Sequence, residues 1–337
     1  MPAGEIGLRS SDGGFEWPTV LLLIVTYLLW SLATTVLWQL SPGLSVAVLA
    51  LAIAQFSSLQ HEVLHGHPFR SRLWSEATVF PALTLYVPYL RFKDLHLRHH
   101  HDPHLTDPYD DPESNYHDPA VWARLPRAMR WFLRLNNTLA GRMLFGPAIS
   151  LWALVRADAR AILRGERRVL LGWALHGAGF AVVLAWLRLT EGMPLWAYAV
   201  AAYLGWSLLK IRTFLEHRAH RAARARSVVV ESRGPLSLLF LNNNFHAVHH
   251  SCPGLAWYRL PALYFANREG WLQRNEAYVY KDYTEILRAH LFRPKDPVAH
   301  PIWPMPNAAG PSEDAVKGGN VGAVVEERHT GLIAALE

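Results

Sequence analysis

The chain has 337 residues, 51% of them hydrophobic and only 18% charged, with a formal charge of +6. It is too apolar for an ordinary soluble domain and too polar for a chain lying almost wholly in a membrane. The basic residues gather between and after the apolar runs without the aromatic interleaving of a nucleic-acid module, so the charge fits basic membrane-protein loops and no nucleic-acid partner.

The first stretch, 1–16, carries Glu5, Asp12 and Glu16 against a single base, Arg9. It lacks the basic start of a cleaved leader and is expected to be a short cytoplasmic segment ahead of a retained anchor. Four stretches then approach the ~20 residues that a bilayer core demands of a helix. They run from Pro18 to about Trp38, from Pro42 to about Gln60, from Val169 to Leu189 and from Pro194 to about Phe214. Short turns at Ser41–Pro42–Gly43 and Leu189–Met193 join them as two hairpins with both turns on the same side.

Arg and Lys crowd the segment from His61 to Arg168 and are nearly absent from the two turns. By the positive-inside rule that segment, the part after Phe214 and both termini face the cytoplasm. Two further apolar stretches are ambiguous. Ala77 to Leu90, broken by Pro81 and Pro88, reads as a re-entrant or interfacial element, and Met143 to Val155 as a piece lying on the membrane surface. From Arg293 the sequence turns Pro-rich and then Gly/Ala-rich, and 293–337 is expected to be a flexible tail. The predicted fold is therefore an all-α membrane protein, its domain spanning 17–292. Four transmembrane helices form two hairpins, and a cytoplasmic helical cap holds the histidines.

Eighteen histidines occur, and their spacing matters more than their number. His61 and His65 follow the second apolar stretch at i and i+4, so one helical face presents both. His96, His99 and His100 form H-x-x-H-H, and His246, His249 and His250 repeat it. His217 follows the fourth apolar stretch directly. Three separated clusters offer too many imidazoles for one tetrahedral ion, and enough for two ions that keep an open position. The single cysteine, Cys252, excludes a cysteine-built zinc or iron–sulfur site.

His61–Glu62–Val63–Leu64–His65 also matches H-E-x-x-H, the zinc-protease helix, but that reading leaves both H-x-x-H-H clusters unexplained. A metal-binding transporter or sensor would need ionisable residues within the spans, where Arg188, Lys210 and Arg212 lie only near the ends. His176, alone inside the third stretch, reads as a structural histidine.

The order H-x-x-x-H, H-x-x-H-H, H-x-x-H-H around two membrane hairpins resembles the membrane fatty acid desaturase family over roughly residues 18–270. The run Asn242–Asn243–Asn244–Phe245–His246 is similar to a bacterial branch that includes acyl-lipid desaturases and a desaturase of a small amino acid derivative in rhizobitoxine biosynthesis. The resemblance implies a two-iron centre held by His61, His65, His96, His99, His100, His217, His246, His249 and His250, with O2 as co-substrate. It further implies removal of hydrogen from two neighbouring methylenes of a fatty acyl chain in a membrane lipid or acyl thioester.

Family members also imply a bacterial inner membrane and a separate electron donor of ferredoxin, rubredoxin or cytochrome b5 type. The same histidine pattern serves hydroxylases of alkanes, carotenoids and lipids. Glu62, Asp94, Asp102, Glu216 and Asn242 are candidates to orient the ligand imidazoles. The run from Asp107 to Glu113, with Asp110 and Asp111, reads equally as such a group or as a solvated loop. His67, His101, His104 and His220 border the clusters outside the matching pattern. Relatives hold an iron-bound water with an Asn four residues before the ninth histidine; Thr213 stands there in this chain.

Overall fold

The computed structural model describes residues 15–304. Most of the expected N-terminal segment and the tail beyond 304 lie outside the described residues.

The chain enters as α1 (Trp17–Thr34), breaks at Thr35, and continues as α2 (Val36–Leu40) and α3 (Pro42–Leu64). α3 is the central helix. It packs against α1 on one side and α10 (Leu195–Thr213) on the other. Small residues allow the second contact: Ala50 and Ala54 of α3, and Ala197, Ala201, Ala202 and Gly205 of α10. A Cβ on Gly205 would come within 2.9 Å of the Ala50 carbonyl oxygen, so the backbones nearly touch. At the far end Ser45 Oγ donates to the Ala33 carbonyl, and Met193 N to that of Thr34, which brings the two predicted turns to the same end.

Three described helical stretches are long and apolar enough to cross a membrane: Trp17–Leu40, Pro42–Leu64 and Arg167–Leu189, the last being α9. The fourth predicted stretch forms α10, which carries Lys210 and Arg212 in its last turn and is not among those three. Met143 to Val155 belongs to a longer element. It lies inside α8 (Leu139–Leu163), which meets α7 (Arg127–Asn136) at a 110° bend and packs on α10 and α9.

The broken stretch after α4 (Arg72–Ala77) is a non-helical loop, 78–88, leading into α5 (Tyr89–His101). Four of its carbonyls are satisfied by side chains of the bundle. Tyr27 of α1 donates to Thr78, Tyr198 of α10 to Leu83, Trp206 of α10 to Thr84, and His176 of α9 to Leu85. Ala82 N donates to the Gly179 carbonyl, and Tyr86 Oη to that of Ala199. Irregular backbone among apolar helices persists only when protein partners replace water, since each orphaned group in hydrocarbon costs several kcal/mol. His176 thus has a structural partner in this loop.

Beyond α6 (Pro119–Arg124) and the membrane helices, a polar cap follows, built from α11 (Pro235–Leu239), α12 (His246–Ser251), α13 (Leu260–Ala266), α14 (Arg268–Arg274) and α15 (Tyr283–His290). Its strands, β1 (Val229–Val230) and β2 (Val279–Tyr280), pair in parallel with Val229 opposite Val279. The segment from Arg293 to Pro304 is a strap rather than the expected start of a flexible tail. His117 N donates to the Val298 carbonyl, His300 N to that of His117, and Asn137 Nδ2 to that of Asp296.

Gly179 is where α9 meets the loop most closely: a Cβ there would lie 2.5 Å from the Phe80 carbonyl oxygen and 3.1 Å from Ala82 N. Gly179→Ala is expected to destabilise the protein by about 1–3 kcal/mol through overpacking. Thermal unfolding of detergent-purified protein would measure this, and an unchanged midpoint would count against the loop seat.

Candidate metal centre

Each histidine cluster is presented by a different element. His61 lies in the last turn of α3 and His65 caps that helix. α5 carries His96, His99 and His100, α12 carries His246, His249 and His250, and His217 follows α10 by four residues. The elements bring all nine together in two adjoining groups. One comprises His61, His65, His96, His100 and His249, the other His99, His217, His246 and His250. Within each group the ligand atoms all lie within 4.8 Å of one another. The groups share a wall where the His100 and His250 rings stack at 4.2 Å between centroids.

The nitrogens that converge are the Nε2 atoms. In the first group His100 Nε2 is 3.0 Å from His96 Nε2 and 3.1 Å from His249 Nε2. In the second, His217 Nε2 is 2.9 Å from His99 Nε2 and 3.0 Å from His246 Nε2. The buried Nε2 atoms of His61, His65 and His250 have no hydrogen-bond partner.

Groups on the far side of the rings fix which nitrogen is bare. His96 Nδ1 donates to Glu113 Oε1 at 2.8 Å, His99 Nδ1 to Asp111 Oδ1 at 2.7 Å, and His246 Nδ1 to Asn243 Oδ1 at 3.2 Å. With the proton on Nδ1, the Nε2 lone pair points inward. Inward lone pairs at about 3 Å repel unless a proton or cation lies between them. A buried imidazole donor set of this kind fits two transition-metal ions.

The electrostatics agree. Burial, reinforced by neighbouring imidazoles or cations, holds His217, His246, His249 and His250 well below the usual histidine range, in the neutral form a metal requires. His100 is pushed down to about 3 by burial and by His96 and His99. His99 is the exception. Burial opposes its charge, but Glu113 and Asp111 outweigh it and raise the group to about 9. A metal ion in the second group would replace that proton.

The predicted orienting residues divide. Glu216 lies 3.8 Å from His246 Nδ1, paired with Arg212 at 3.0 Å and accepting from Asn243 Nδ2 at 3.4 Å. Glu62 lies 3.8 Å from His61 Nδ1 and accepts from Trp257 N. Asp94 is instead turned away in a two-bond pair with Arg168 that ties α5 to α9. Asp102 accepts from His104 N, and Asn242 donates to the Trp257 carbonyl, so its neighbour Asn243 makes the contact to His246.

The acidic run is folded into the site. Asp111 is 2% exposed and also accepts from Thr106 N and Glu113 N. Glu113 and Asn243 were not recognisable from spacing to their histidines, although Asn243 stands one helical turn before His246. His67, bonded to Glu16, and His101, His104 and His220 stand outside both groups. His217 is anchored through its own backbone, since Lys295 of the strap donates to its carbonyl.

A cavity of about 660 Å³ opens beside the cluster, and Glu113, Thr213 and His217 line it. The side chain of Glu113 keeps 30% exposure there.

The family model for fatty acid desaturases matches residues 35–281. The chain belongs to the fatty acid desaturase family. No curated protein matches it. Membership implies an oxidoreductase of the membrane that takes a lipid substrate and an external electron donor, in a family that is di-iron.

Asp111→Asn is expected to weaken metal binding by about 10–100-fold, as is typical when a partner of a ligating histidine is lost. Asp94→Asn and Asp102→Asn should leave binding unchanged. Competition with a chelator would measure the affinities; equal losses in all three variants would defeat the assignment.

Proposed function

We propose that the nine histidines hold two iron ions, five at one and four at the other, and that the protein is an O2-dependent desaturase of a fatty acyl chain. The observation that carries this reading is the convergence of nine imidazoles into two adjoining groups within a member of the fatty acid desaturase family. When bound, the iron pair would supply the oxidising power that an unactivated C–H bond demands.

The protein's own contribution is placement. Glu113, Asp111 and Asn243 hold three ligand rings by their outer nitrogens. Apolar side chains such as Val87, Phe92, Leu151, Leu154 and Trp206 line the cavity beside His96 and His217. A chain lying along them would be kept from water with one C–C bond near the metals.

The membrane reading is a bundle of four spans, 17–40, 42–64, 167–189 and 195–213, arranged as two hairpins. The Arg-rich segment and the cap face the cytoplasm of a bacterial inner membrane. α10 is included because it packs along the central span α3 and ends at the same level, beside His217. Electrons come from a separate donor protein meeting that face.

Lipids of a bacterial host expressing the wild type, compared by mass spectrometry with those of His249→Ala, test the reaction. The expected product is a new fatty acid lighter by the mass of two hydrogen atoms, absent from the variant. A product heavier by one oxygen atom would replace desaturation with hydroxylation, and no new lipid would reject an acyl substrate. Purified protein carrying zinc and no iron would overturn the iron pair.

A further inference from the structure

We propose that the cavity beside the metal centre is built for the anionic end of its substrate, a carboxylate or phosphate held by Lys210 and Arg142. This rests on the reading of the cavity as the place where a chain is oxidised.

Most cations around this cavity are already paired with acids. Arg91 meets Asp158 at 2.8 Å, Arg168 meets Asp94 at 2.6 Å, Arg212 meets Glu216 at 3.0 Å and Lys295 meets Asp296 at 3.1 Å. Lys210 and Arg142 differ. Lys210, in the last turn of α10, donates to Ser150 Oγ of α8 at 2.9 Å, and no described carboxylate lies within 4.0 Å of it. Arg142, in the first turn of α8, is 7% exposed. It donates to the Asn136 carbonyl at 3.1 Å, to Asn137 Oδ1 at 3.2 Å and to Asn115 Oδ1, all of them neutral oxygens.

The two cations share one patch of wall. A Cβ on Gly146 would lie 3.0 Å from Arg142 Cδ and 3.4 Å from Lys210 Cε, so both stems pass over the same glycine. Gly146 is followed by Pro147, Ser150 and Leu151, which line the cavity with them.

Glu113 and Glu216 act on Lys210 only from beyond ion-pair distance. Two neighbouring cations removed from water without an acid in contact cost several kcal/mol, and within a membrane bundle such groups mark a ligand or ion path. Bracing the corner between α7 and α8 explains the hydrogen bonds of Arg142 but not its charge, nor that of Lys210. Their donor inventory suits an anion. An ammonium has three N–H groups and a guanidinium five. One and three respectively are engaged, so four remain for the oxygens of one acidic group. Lys210 and His217 line the same cavity, so a substrate held by its charged end would present its chain to the histidine cluster.

The test uses the iron-loaded full chain in nanodiscs of zwitterionic phosphatidylcholine, titrated calorimetrically with octanoate, octyl phosphate and neutral octanamide. At least one anion should bind about tenfold or more tightly than the amide. Lys210→Met and Arg142→Gln should each abolish most of that preference, while Lys210→Arg should keep it. Preference for octanoate assigns a carboxylate, and preference for octyl phosphate a phosphate. Equal binding of all three probes, no binding of either anion, or a preference intact in both neutral variants would overturn the proposal. Lipid analysis separates it from the parent reading. Anion preference without an oxidised lipid rejects the desaturase and leaves the subsite, whereas an oxidised lipid without anion preference rejects the subsite alone.

Discussion

Nine imidazoles converge in two adjoining groups, and the surrounding structure holds them there. Left to themselves, rings whose Nε2 atoms approach to about 3 Å would turn away or take up protons. Three of them, His96, His99 and His246, are kept from turning by bonds on their outer edges, through Glu113, Asp111 and Asn243. At His217, His246, His249 and His250 protonation is opposed by burial and by neighbouring imidazoles or cations, whereas at His99 two carboxylates favour the charge. Such a site carries unfavourable energy by itself and would be stabilised by cations bound there, which would link metal affinity to folding.

The helical repeat explains how so few elements supply two groups of histidines. With 3.6 residues per turn, positions i and i+4 differ by about 40° around the axis, while i+3 lies about 60° to the other side. α5 sends His96 and His100 to the first group and His99 to the second. α12 does the reverse, sending His246 and His250 to the second and His249 to the first. Each H-x-x-H-H thus straddles both groups, and the two helices make opposite assignments. His61 and His65 complete the first group, and His217 completes the second.

Eight of the nine positions were legible because their spacing is a local property of helices, which sequence displays directly; His217, which stands alone, is marked only by its place after the fourth apolar stretch and by the family resemblance. The division into five and four was not legible, since it depends on how α5 and α12 face each other across the cap. The supporting acids were harder still. Asp94 and Asp102 flank a cluster in sequence but turn to Arg168 and to the His104 backbone, whereas Glu113 arrives from a loop whose path no periodicity encodes. Asn242 and Asn243 are chemically interchangeable in sequence, and only the backbone turn between α11 and α12 selects the second. The strap from Arg293 was misread for the same reason: its composition suggests a free tail, but its order comes from tertiary bonds to His117 and Asn137. Length and hydropathy found α1, α3 and α9. They mark α10 less clearly, because its last turn holds the two cations that border the cavity and the site.

The loop at 78–88 ties these observations together. It ends where α5 begins, so whatever fixes the loop also fixes the position from which His96, His99 and His100 project. Its carbonyls are held by Tyr27, Tyr198, Trp206 and His176, that is, by α1, α9 and α10, while α3 between α1 and α10 carries His61 and His65. The first two histidine clusters are thereby positioned by one set of apolar helices. The third depends on the cap, through the Val228 carbonyl that receives Ala247 N and the Asn243 contact. His217 links the halves. It follows α10, its ring stands in the second group, and its carbonyl is held by Lys295 of the strap. Two hydrocarbon-facing helices and a polar cap can hold ligands to a common geometry only if such a joint is rigid. The strap supplies a hold on His217, which lies beyond the end of α10 and in no helix of its own.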